Sequence, residues 1–412
     1  MVLKGETRTH EQESLDELCF LADTAGAEVK RQVIQSLLKP DPATYIGKGK
    51  AREIKDLAEE TGAGFILFDT DLTPAQVKNL ERLLEKKIID RSGIILDIFA
   101  RRARTREAKL QVELAQLNYY LPRLTRAWTH LSRQEGGIGT RGPGETQLEV
   151  DRRAVRRKIA HLEKQLDAIE RQHRVRRQGR KNIFKIALVG YTNAGKSSLL
   201  NALSGADVFV EDQLFATLDA TIRRCRLSDN REVLLIDTVG FIKRLPHHLV
   251  ASFRSTLNEA READMFLHVV DVSDRAFMEH IAVVRDVLRD LGIHTKKSIM
   301  VFNKLDRAHG DTDINSLKEE FDPVVFTAAT RGIGLEDLKK AVTGVLAAAE
   351  EEHTVCVSIN DSRLIAGLHR LGTVLSTEYR DSTAVITLRA DTHALQKIKS
   401  LVDHEKDINS DH

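Results

Sequence analysis

A glycine-rich octapeptide between an apolar run and a helical pattern constrains this fold more than any other feature. Residues 190–197 are Gly190, Tyr191, Thr192, Asn193, Ala194, Gly195, Lys196 and Ser197. Glycines let the main chain wrap closely around phosphate oxygens, and the N-terminus of the following helix adds partial positive charge. The sequence therefore predicts a phosphate-binding loop, in which Lys196 reaches the β- and γ-phosphates and the Ser197 hydroxyl ligates Mg²⁺. A glycine-rich turn without function would explain the octapeptide alone, but not the motifs that follow.

The alternation of apolar runs and helical patterns around this loop indicates the fold class. The apolar runs predict buried strands at residues 186–189, 233–236, 266–270, 299–302 and 324–326. Nearly continuous apolar strands that alternate with helices favour a doubly wound, mostly parallel sheet. We therefore predict an α/β protein whose P-loop NTPase domain, a G domain, spans residues 184–350.

A second motif ends the predicted strand 233–236. It begins 41 residues after Lys196 and consists of Asp237, Thr238, Val239 and Gly240. We expect Asp237 to hold Mg²⁺ through a water molecule. The Gly240 N–H is placed to sense the γ-phosphate, so that loss of this group on hydrolysis can release the segment that follows.

A third motif follows the strand 299–302 and predicts which base is bound. It consists of Asn303, Lys304, Leu305 and Asp306. The Asp306 carboxylate can accept hydrogen bonds from guanine N1–H and N2–H₂, whereas adenine offers no matching pair of donors, so that ATP would leave a buried charge unpaired. The sequence therefore predicts GTP and GDP as ligands. A weaker motif, which fits a main-chain N–H contact with guanine O6, consists of Thr327, Ala328 and Ala329.

The segment between the phosphate loop and Asp237 should supply a threonine that coordinates Mg²⁺ in the GTP state. Its central residues are Phe215, Ala216, Thr217, Leu218, Asp219, Ala220 and Thr221. Thr217 and Thr221 both qualify, and we favour Thr217. The candidate catalytic residues are therefore Lys196, Thr217 and Gly240.

The residue after Gly240 predicts slow hydrolysis. It is Phe241, at a position where many switch GTPases carry a glutamine that orients the attacking water. A phenylalanine side chain cannot hydrogen-bond to water. A partner should therefore order the segments around the nucleotide or supply the missing group.

Positive charge is concentrated in one part of the chain. Residues 101–185 contain 22 Lys and Arg against 9 Asp and Glu, although the whole chain carries a net charge of only +2. Such a block inside a nearly neutral chain indicates contact with a polyanion, of which RNA is the commonest in the cytosol. The alternative is a solvated helix face.

The composition gives no sign of secretion or membrane insertion. No apolar run approaches the roughly 20 residues that span a bilayer, and residues 1–13 lack the apolar core of a signal peptide. The widely separated Cys19, Cys225 and Cys356 fit neither a disulfide framework nor a zinc site. We expect a cytoplasmic monomer without membrane contact.

Three further regions surround the predicted G domain. Residues 1–105 alternate helical and strand-like patterns, which predicts a small α/β subdomain. Residues 106–180 predict a basic antiparallel helical hairpin joined by a loop at 136–144 that is rich in glycine and proline. Residues 354–412 fit a small α+β domain.

Within these regions, three helices are predicted individually. An apolar stripe predicts the first hairpin helix over residues 106–130, with a kink at Pro122. In the C-terminal region, the patterns predict helices over residues 364–371 and 395–401.

The motifs and several stretches elsewhere resemble the HflX family of ribosome-associated GTPases, in the Obg-HflX superfamily of the TRAFAC class. The N-terminal stretches that carry the resemblance are 45–50 (Tyr-Ile-Gly-Lys-Gly-Lys), 69–81, which includes Leu-Thr-Pro-Ala-Gln, and 96–105. Residues 142–149, Gly-Pro-Gly-Glu-Thr-Gln-Leu-Glu, close a segment similar to the interhelical loop of that family. The octapeptide and residues 215–219 also match, whereas residues 354–412 match only loosely.

The resemblance implies a factor that binds the large (50S) ribosomal subunit, with rRNA stimulating its hydrolysis and the loop 136–144 reaching toward the peptidyl-transferase centre. It also implies that stalled ribosomes are split under stress, and that Thr217 is the switch ligand of Mg²⁺. An RNA-binding assembly factor, in which GTP has mainly a structural or regulatory role, is the alternative. Residues 45–50 could suggest a second phosphate site, but they lack strand-loop-helix spacing, so a structural turn is the preferred interpretation.

Overall fold

The computed structural model describes the main chain of residues 2–3, 8–37, 39–124, 147–178, 183–205, 214–215, 217–229, 231–244, 259–310, 312–348, 350–359, 361–371, 373–380 and 382–390. The chain forms two compact units, each assembled from several segments. The first contains Met1–Glu170, Glu211–Asp219 and Val239–Asn258. The second contains Arg171–Val210, Ala220–Thr238 and Glu259–His412. The predicted loop 136–144 and the predicted helix 395–401 lie outside the described residues.

The N-terminal part of the first unit combines short parallel strand pairs with helices. Strand β1 (Val2–Leu3) pairs with β2 (Ser36–Leu37), and β3 (Phe65–Phe68) pairs with β4 (Lys87–Asp90). The helices are α1 (Arg8–Thr24), α2 (Lys48–Glu60), α3 (Pro74–Leu84) and α4 (Arg91–Arg102). Parallel strands need a long crossover connection, which α1 and α3 provide for the two pairs.

Side-chain caps fix the starts of α3 and α4. The Thr73 hydroxyl accepts a hydrogen bond from the Gln76 N–H at 3.3 Å, and the Gln76 side chain accepts one from the Thr73 N–H at 2.9 Å. Asp90 accepts a hydrogen bond from the Gly93 N–H at 2.9 Å, so β4 passes directly into α4. Such caps typically stabilise a helix by about 1 kcal/mol each.

Helix α5 (Arg106–Tyr120) is held at its C-terminal end by the buried carboxylate of Asp90. The Tyr119 hydroxyl donates to Asp90 Oδ1 at 2.7 Å, and Arg123 Nη2 donates to Asp90 Oδ2 at 2.8 Å. Burial, followed by the negative charge of Asp90, raises the pKa of Tyr119. The neutral Tyr119 hydroxyl and the ion pair of Arg123 with Asp90 therefore lie together at the C-terminal end of α5.

The two helices predicted for the basic region are present, with one correction. The second helix, α6 (Gln147–Gln178), is rich in charged residues, and its Lys158 Nζ lies 2.5 Å from Glu113 Oε1 of α5. The predicted kink at Pro122 is wrong, because α5 ends at Tyr120 and a turn follows over residues 121–124. Proline lacks an N–H and its ring crowds the carbonyl one turn earlier, so the helix stops instead of bending.

The second unit is built on a six-stranded sheet. In spatial order its strands are β10 (Val324–Phe326), β9 (Lys297–Asn303), β8 (Met265–Asp271), β5 (Lys185–Gly190), β7 (Glu232–Asp237) and β6 (Thr221–Arg226). All neighbours run parallel except β6, which pairs antiparallel with β7. Every predicted strand lies within this sheet. The predicted doubly wound, mostly parallel α/β fold is confirmed.

Helices of the second unit cover this sheet. They are α7 (Lys196–Ser204), α8 (Phe277–Asp290), α9 (Ile314–Glu320) and α10 (Leu335–Ala347). Leu199 and Leu203 of α7 and Leu338 of α10 join the strand residues Leu188 and Val301 in one buried core. Because the strands are parallel, the carboxyl ends of β5, β7, β8 and β9 meet at one edge, which is where ligands bind in open α/β sheets.

The C-terminal part of the second unit has its own antiparallel sheet, in the order β11 (Glu351–Ser358), β13 (Thr383–Ala390), β12 (Thr373–Arg380). Helix α11 (Ser362–Leu371) follows β11 and confirms the predicted helix 364–371. Its Leu364 and Leu368 pack with Ile386 and Leu388 of β13. This small core is separate from that of the six-stranded sheet.

Candidate functional site

The glycine-rich octapeptide lies between β5 and α7, as the sequence predicts. At Gly190 a Cβ atom would stand 2.2 Å from the carbonyl oxygen of Val269 in β8. At Gly195 the main chain has φ +87°, and a Cβ atom would stand 2.2 Å from Asn303 Nδ2. Neighbouring strand ends therefore require glycine at both positions. Gly195 also precedes α7 without a side-chain cap, which leaves the first-turn N–H groups suited to an anion.

Lys196 is buried at the start of α7. Its Nζ donates hydrogen bonds to the main-chain carbonyls of Gly190 at 3.2 Å and Tyr191 at 2.8 Å. Burial lowers the pKa of Lys196 to about 8; the charge of Asp237 opposes this shift, and that of Lys304 adds to it. The side chain thus remains mostly cationic at neutral pH, and the carbonyls of Gly190 and Tyr191 hold the ammonium group within the phosphate loop.

Ser197 and Asp237 come together at the carboxyl ends of β5 and β7. The Ser197 hydroxyl donates to Asp237 Oδ2 at 2.6 Å, and Asp237 is only 1% exposed. Thr238 Oγ1 donates to the carbonyl of Leu188 at 2.7 Å, which fixes the chain immediately after Asp237.

This pair fits Mg²⁺ in its chemistry. A hydroxyl and a carboxylate are hard oxygen donors, and Mg²⁺ is commonly bound through one or two protein oxygens together with phosphates and water. Over the described ranges, no group of three or more His, Cys, Asp and Glu side chains could form an all-protein metal site. The donor set therefore suits a metal shared with a phosphate ligand.

Asn303 connects the third motif to the phosphate loop. This residue is 2% exposed at the end of β9, and its Nδ2 donates to the carbonyl of Ala194 at 3.0 Å. Its Oδ1 accepts hydrogen bonds from Thr327 Oγ1 and from the Ala329 N–H, both at 3.1 Å. The Ala328 N–H donates to the carbonyl of Ile333 at 3.1 Å. The weaker motif, residues 327–329, thus holds the Asn303 side chain in place. Its contact with guanine O6 stays a prediction.

The charged residues of the third motif each have a partner that sequence reasoning missed. Lys304, with φ +61°, places Nζ 2.8 Å from Asp271 Oδ2 at the end of β8. Arg331 Nε lies 2.9 Å from Asp306 Oδ2, and the Asp306 side chain is 10% exposed. Strand order could have located Asp271, because Asp271 and Asn303 are register partners in the sheet. No spacing rule points to Arg331.

A histidine also packs against the phosphate loop. The rings of Tyr191 and His280 stack with centroids 3.8 Å apart and planes 10° from parallel. His280 belongs to α8, and no motif singles it out. The His280 ring therefore packs directly against the phosphate loop at Tyr191.

The remaining predicted site residues belong to the first unit. They are Phe215, Thr217, Leu218, Asp219, Val239 and Gly240, whereas Ala216 lies outside the described residues. Phe215 and Leu218 are buried, and Thr217 is partly buried. The second unit thus brings together the octapeptide, Asp237, Thr238, residues 303–306 and residues 327–329.

Among the helices of the described residues, none combines the length and the apolar character that a membrane crossing requires.

Three family models match consecutive parts of the chain. A model described as GTP-binding GTPase N-terminal matches residues 12–100, and one described as GTP-binding GTPase middle region matches residues 102–180. A model described as 50S ribosome-binding GTPase matches residues 185–304. The last range holds the octapeptide, Asp237 and Asn303.

Curated relatives match over most of their length. The GTPase HflX of Escherichia coli (strain K12) is 44% identical over 389 residues, which is 93% of this chain and 90% of the relative. The GTPase HflX of Flavobacterium psychrophilum is 50% identical over 321 residues, 78% of each chain. A solved structure, a GTP-binding protein of the archaeon Sulfolobus solfataricus in complex with GDP, has 27% identity and a TM-score of 0.43, covering 81% of this chain and 96% of that one.

The similarity to the bacterial relatives extends through the N-terminal region, the basic helices and the nucleotide motifs alike, which confirms the resemblance stated from the sequence. The chain belongs to the HflX family of GTPases.

Proposed function

We propose that this chain hydrolyses GTP as a switch that binds the large (50S) ribosomal subunit, is stimulated by it, and splits or rescues stalled ribosomes under stress. The observation that carries the nucleotide part is the hydrogen bond from Asn303 to Ala194, because it joins the base-recognition motif to the phosphate loop. The match of residues 185–304 to the 50S ribosome-binding GTPase model supports the ribosomal part.

In this proposal the phosphates are held by main-chain N–H groups of the loop 190–197 and by Lys196. Ser197 and Thr217 would hold Mg²⁺ directly, and Asp237 would hold it through water. Bound Mg²⁺ would neutralise charge on the β- and γ-phosphate oxygens. The short contact between Ser197 and Asp237 supports this arrangement, since both oxygens already face one another at the loop.

Asp306 is proposed to select guanine. Its carboxylate has room for several hydrogen bonds, because each ionised oxygen can accept two. The contact with Arg331 Nε uses one oxygen, Oδ2, and leaves further lone pairs for guanine N1–H and N2–H₂. Lys304 and Leu305 contribute by fixing the main chain, since the Leu305 N–H donates to the carbonyl of Thr327 at 3.1 Å.

Hydrolysis without a partner is expected to be slow. Phe241 is 2% exposed and offers no group that could orient water. The Gly240 N–H is proposed to hydrogen-bond to the γ-phosphate. Loss of that contact on hydrolysis would change the conformation of the adjoining main chain at Val239 and Thr238. Contact with the ribosome would then order these segments or supply the missing group, which in related chemistry accelerates hydrolysis by orders of magnitude.

The proposed contact with rRNA rests on the surface of α6. Over residues 149–172, its exposed basic side chains are Arg153, Arg156, Arg157, Lys158, Lys164 and Arg171. A helix this rich in exposed positive charge suits a phosphate backbone. We also propose four regions in chain order: an N-terminal subdomain, 1–105; one basic hairpin, 106–180; the G domain, 184–350; and a separate small domain, 354–412. The protein is proposed to be a cytoplasmic monomer.

The test is the rate of GTP hydrolysis with and without purified 50S subunits, together with sucrose-gradient profiles of 70S ribosomes. We expect stimulation by more than about tenfold and 70S splitting with GTP or a non-hydrolysable analogue but not with GDP. Absence of stimulation would contradict the proposal. If Lys196→Ala abolished nucleotide binding yet left ribosome binding and cellular function intact, the alternative of an assembly factor would be supported instead.

A further inference from the structure

Two segments that flank the nucleotide motifs in sequence belong to the first unit. They are Glu211–Asp219, which precedes β6, and Val239–Asn258, which follows Thr238. Each is connected covalently to a strand of the sheet that carries the motifs. The contacts that anchor residues 214–219 and 241–244 within the first unit are specific and partly buried.

Asp219 is attached to the start of α5. Its Oδ2 accepts hydrogen bonds from the N–H groups of Arg104 and Thr105, both at 3.2 Å, and its Oδ1 accepts one from the Thr105 hydroxyl. The same hydroxyl accepts a hydrogen bond from the Ala108 N–H at 3.1 Å, so Thr105 is the N-cap of α5. A carboxylate is favoured at this position because the helix N-terminus carries partial positive charge.

Phe215 anchors the other side of the same segment. Its ring meets the ring of Phe99 in α4 edge to face, with centroids 4.7 Å apart and planes at 81°. Both side chains are nearly inaccessible, at 2% and 1% exposure. Thr217 therefore lies between two residues whose side chains are fixed on α4 and α5.

The segment after Gly240 is anchored as well. The carbonyl of Lys243 accepts a hydrogen bond from Arg91 Nη2 at 3.1 Å, and Arg91 is 1% exposed. Asp69 accepts from Arg91 Nη1 at 2.5 Å and from Arg244 Nη1 at 3.2 Å. Arg91 and Asp69 thus bind this segment to the N-terminal region through both main-chain and side-chain contacts.

We propose that Phe215, Asp219 and Thr105 are positioning residues that hold Thr217 in an ordered segment before GTP arrives. This inference rests on the proposed role of Thr217 as the ligand that only the GTP state requires. A segment that is already ordered loses less conformational entropy when GTP is bound, so the anchor favours GTP over GDP. Because coupling is reciprocal, GTP in turn stabilises the start of α5, which leads into the basic region.

The experiment compares two identical substitutions at helix N-caps of the first unit. Thr105→Val removes the hydroxyl that contacts both Asp219 and Ala108, whereas Thr73→Val removes the hydroxyl that caps α3 through Gln76. Dissociation constants are measured for GDP and for a non-hydrolysable GTP analogue. We expect Thr105→Val to weaken the GTP analogue about fivefold, the equivalent of one lost hydrogen bond, and to leave GDP within about twofold.

Four further results are expected. Thr73→Val should change neither constant, and Thr105→Ser should restore the analogue's affinity, because serine keeps the hydroxyl. In an Asp219→Ala background, Thr105→Val should have little additional effect on the analogue, since the pair acts as one unit. In the wild type, amide exchange over residues 106–120 should be slower with the GTP analogue than with GDP.

Equal weakening of both nucleotides by Thr105→Val, no change in either, or tighter binding of the analogue would each overturn the inference. So would unchanged amide exchange over residues 106–120 in the wild type, a result that does not depend on the variants folding. Failure of the proposed function would look different, because 50S subunits would then not stimulate hydrolysis by the wild-type protein, or that protein would bind neither GDP nor the analogue.

Discussion

The side-chain amide of Asn303 donates a hydrogen bond to the main-chain carbonyl of Ala194 across 3.0 Å. These residues are 109 positions apart in the chain. The contact is possible because parallel strands β5 and β9 end at the same edge of the sheet and because Gly195 leaves room beside the amide. The phosphate loop and residues 303–306 are therefore joined directly, and a change at their contact should affect nucleotide binding as a whole.

Gly195→Ala should weaken GDP binding by more than about tenfold and lower the free energy of unfolding by about 1–3 kcal/mol. The new methyl group would stand 2.2 Å from Asn303 Nδ2, at a residue with φ +87°. Calorimetric titration with GDP and thermal unfolding measure the two effects.

Gly205→Ala is the matched control, because this glycine has φ +66° but, apart from its own chain neighbours, no atom of the described residues lies within 4 Å of the place where its new methyl group would stand. It should cost stability without changing GDP affinity. Equal GDP affinity in Gly195→Ala and wild type would contradict the close contact.

Ser197→Ala should remove most of the Mg²⁺ dependence of GDP binding. The hydroxyl contacts Asp237 Oδ2 at 2.6 Å and supplies one of the proposed metal ligands. The dissociation constant of GDP is measured with Mg²⁺ and with excess chelator. In the wild type the two values should differ by at least about tenfold, and in the variant they should nearly coincide.

Ser204→Ala, in the same helix, serves as its control because that hydroxyl donates to the carbonyl of Leu200 at 2.7 Å. This variant should keep the full dependence on Mg²⁺. A Ser197→Ala protein that responds to chelator as the wild type does would remove the serine from the metal site.

His268 should make the fold sensitive to acid. Burial lowers the pKa of His268 to about 3 from an ordinary value of 6.5, and the positive charges of Arg285 and Lys196 add to the shift. The folded state therefore keeps the ring neutral while the unfolded chain takes up a proton below pH 6.5. This histidine should contribute a loss of about 1.4 kcal/mol in the free energy of unfolding per pH unit as the pH falls from 6 toward 3.

His268→Met should remove that contribution and leave stability at pH 7.5 unchanged or higher, because within the described part of the chain Nε2 has no hydrogen-bond partner. Urea unfolding at pH 5.0 and 7.5 gives the slope. The same substitution at the exposed His294 should keep the wild-type slope. An unchanged slope in His268→Met would show that another group dominates the acid sensitivity.

Arg156→Glu with Arg157→Glu should weaken binding to 50S subunits and reduce its dependence on salt. Both side chains are exposed on α6. If each arginine neutralises one phosphate, the slope of log K against log salt should fall in magnitude by about 1–2. Cosedimentation at several KCl concentrations measures the slope. Arg289→Glu on α8, also exposed, should leave it unchanged, and equal slopes in all three proteins would argue for a merely solvated helix face.

Much of the second unit could be predicted from the sequence because its signals are local. A buried parallel strand needs a run such as 299–302, and a phosphate loop needs glycines at fixed spacing, which Gly190 and Gly195 supply. The strand ends then follow from topology. The HflX resemblance extended this reasoning to regions where no motif has a physical interpretation of its own.

The contacts made by residues far apart in sequence could not be predicted in the same way. Arg331 reaches Asp306 only because a 3₁₀ turn places it beside the carboxylate. Asp219 meets Thr105 only because Phe215 and Asp219 pack with the N-terminal region. Helix α5 ends at Tyr120, although the apolar stripe continues beyond Pro122 and predicts a longer helix. Hydrophobic periodicity does not take into account that Pro122 lacks the N–H needed to continue the helix.

Calorimetric titration of the wild-type protein with GDP and with ADP, in the presence of Mg²⁺, tests the central claim most directly. If Asp306 selects guanine at a pocket formed around Lys196, GDP will give saturable heat at one site and ADP will give none at the same concentrations. Comparable binding of ADP at that site, or no heat with GDP, would contradict the account.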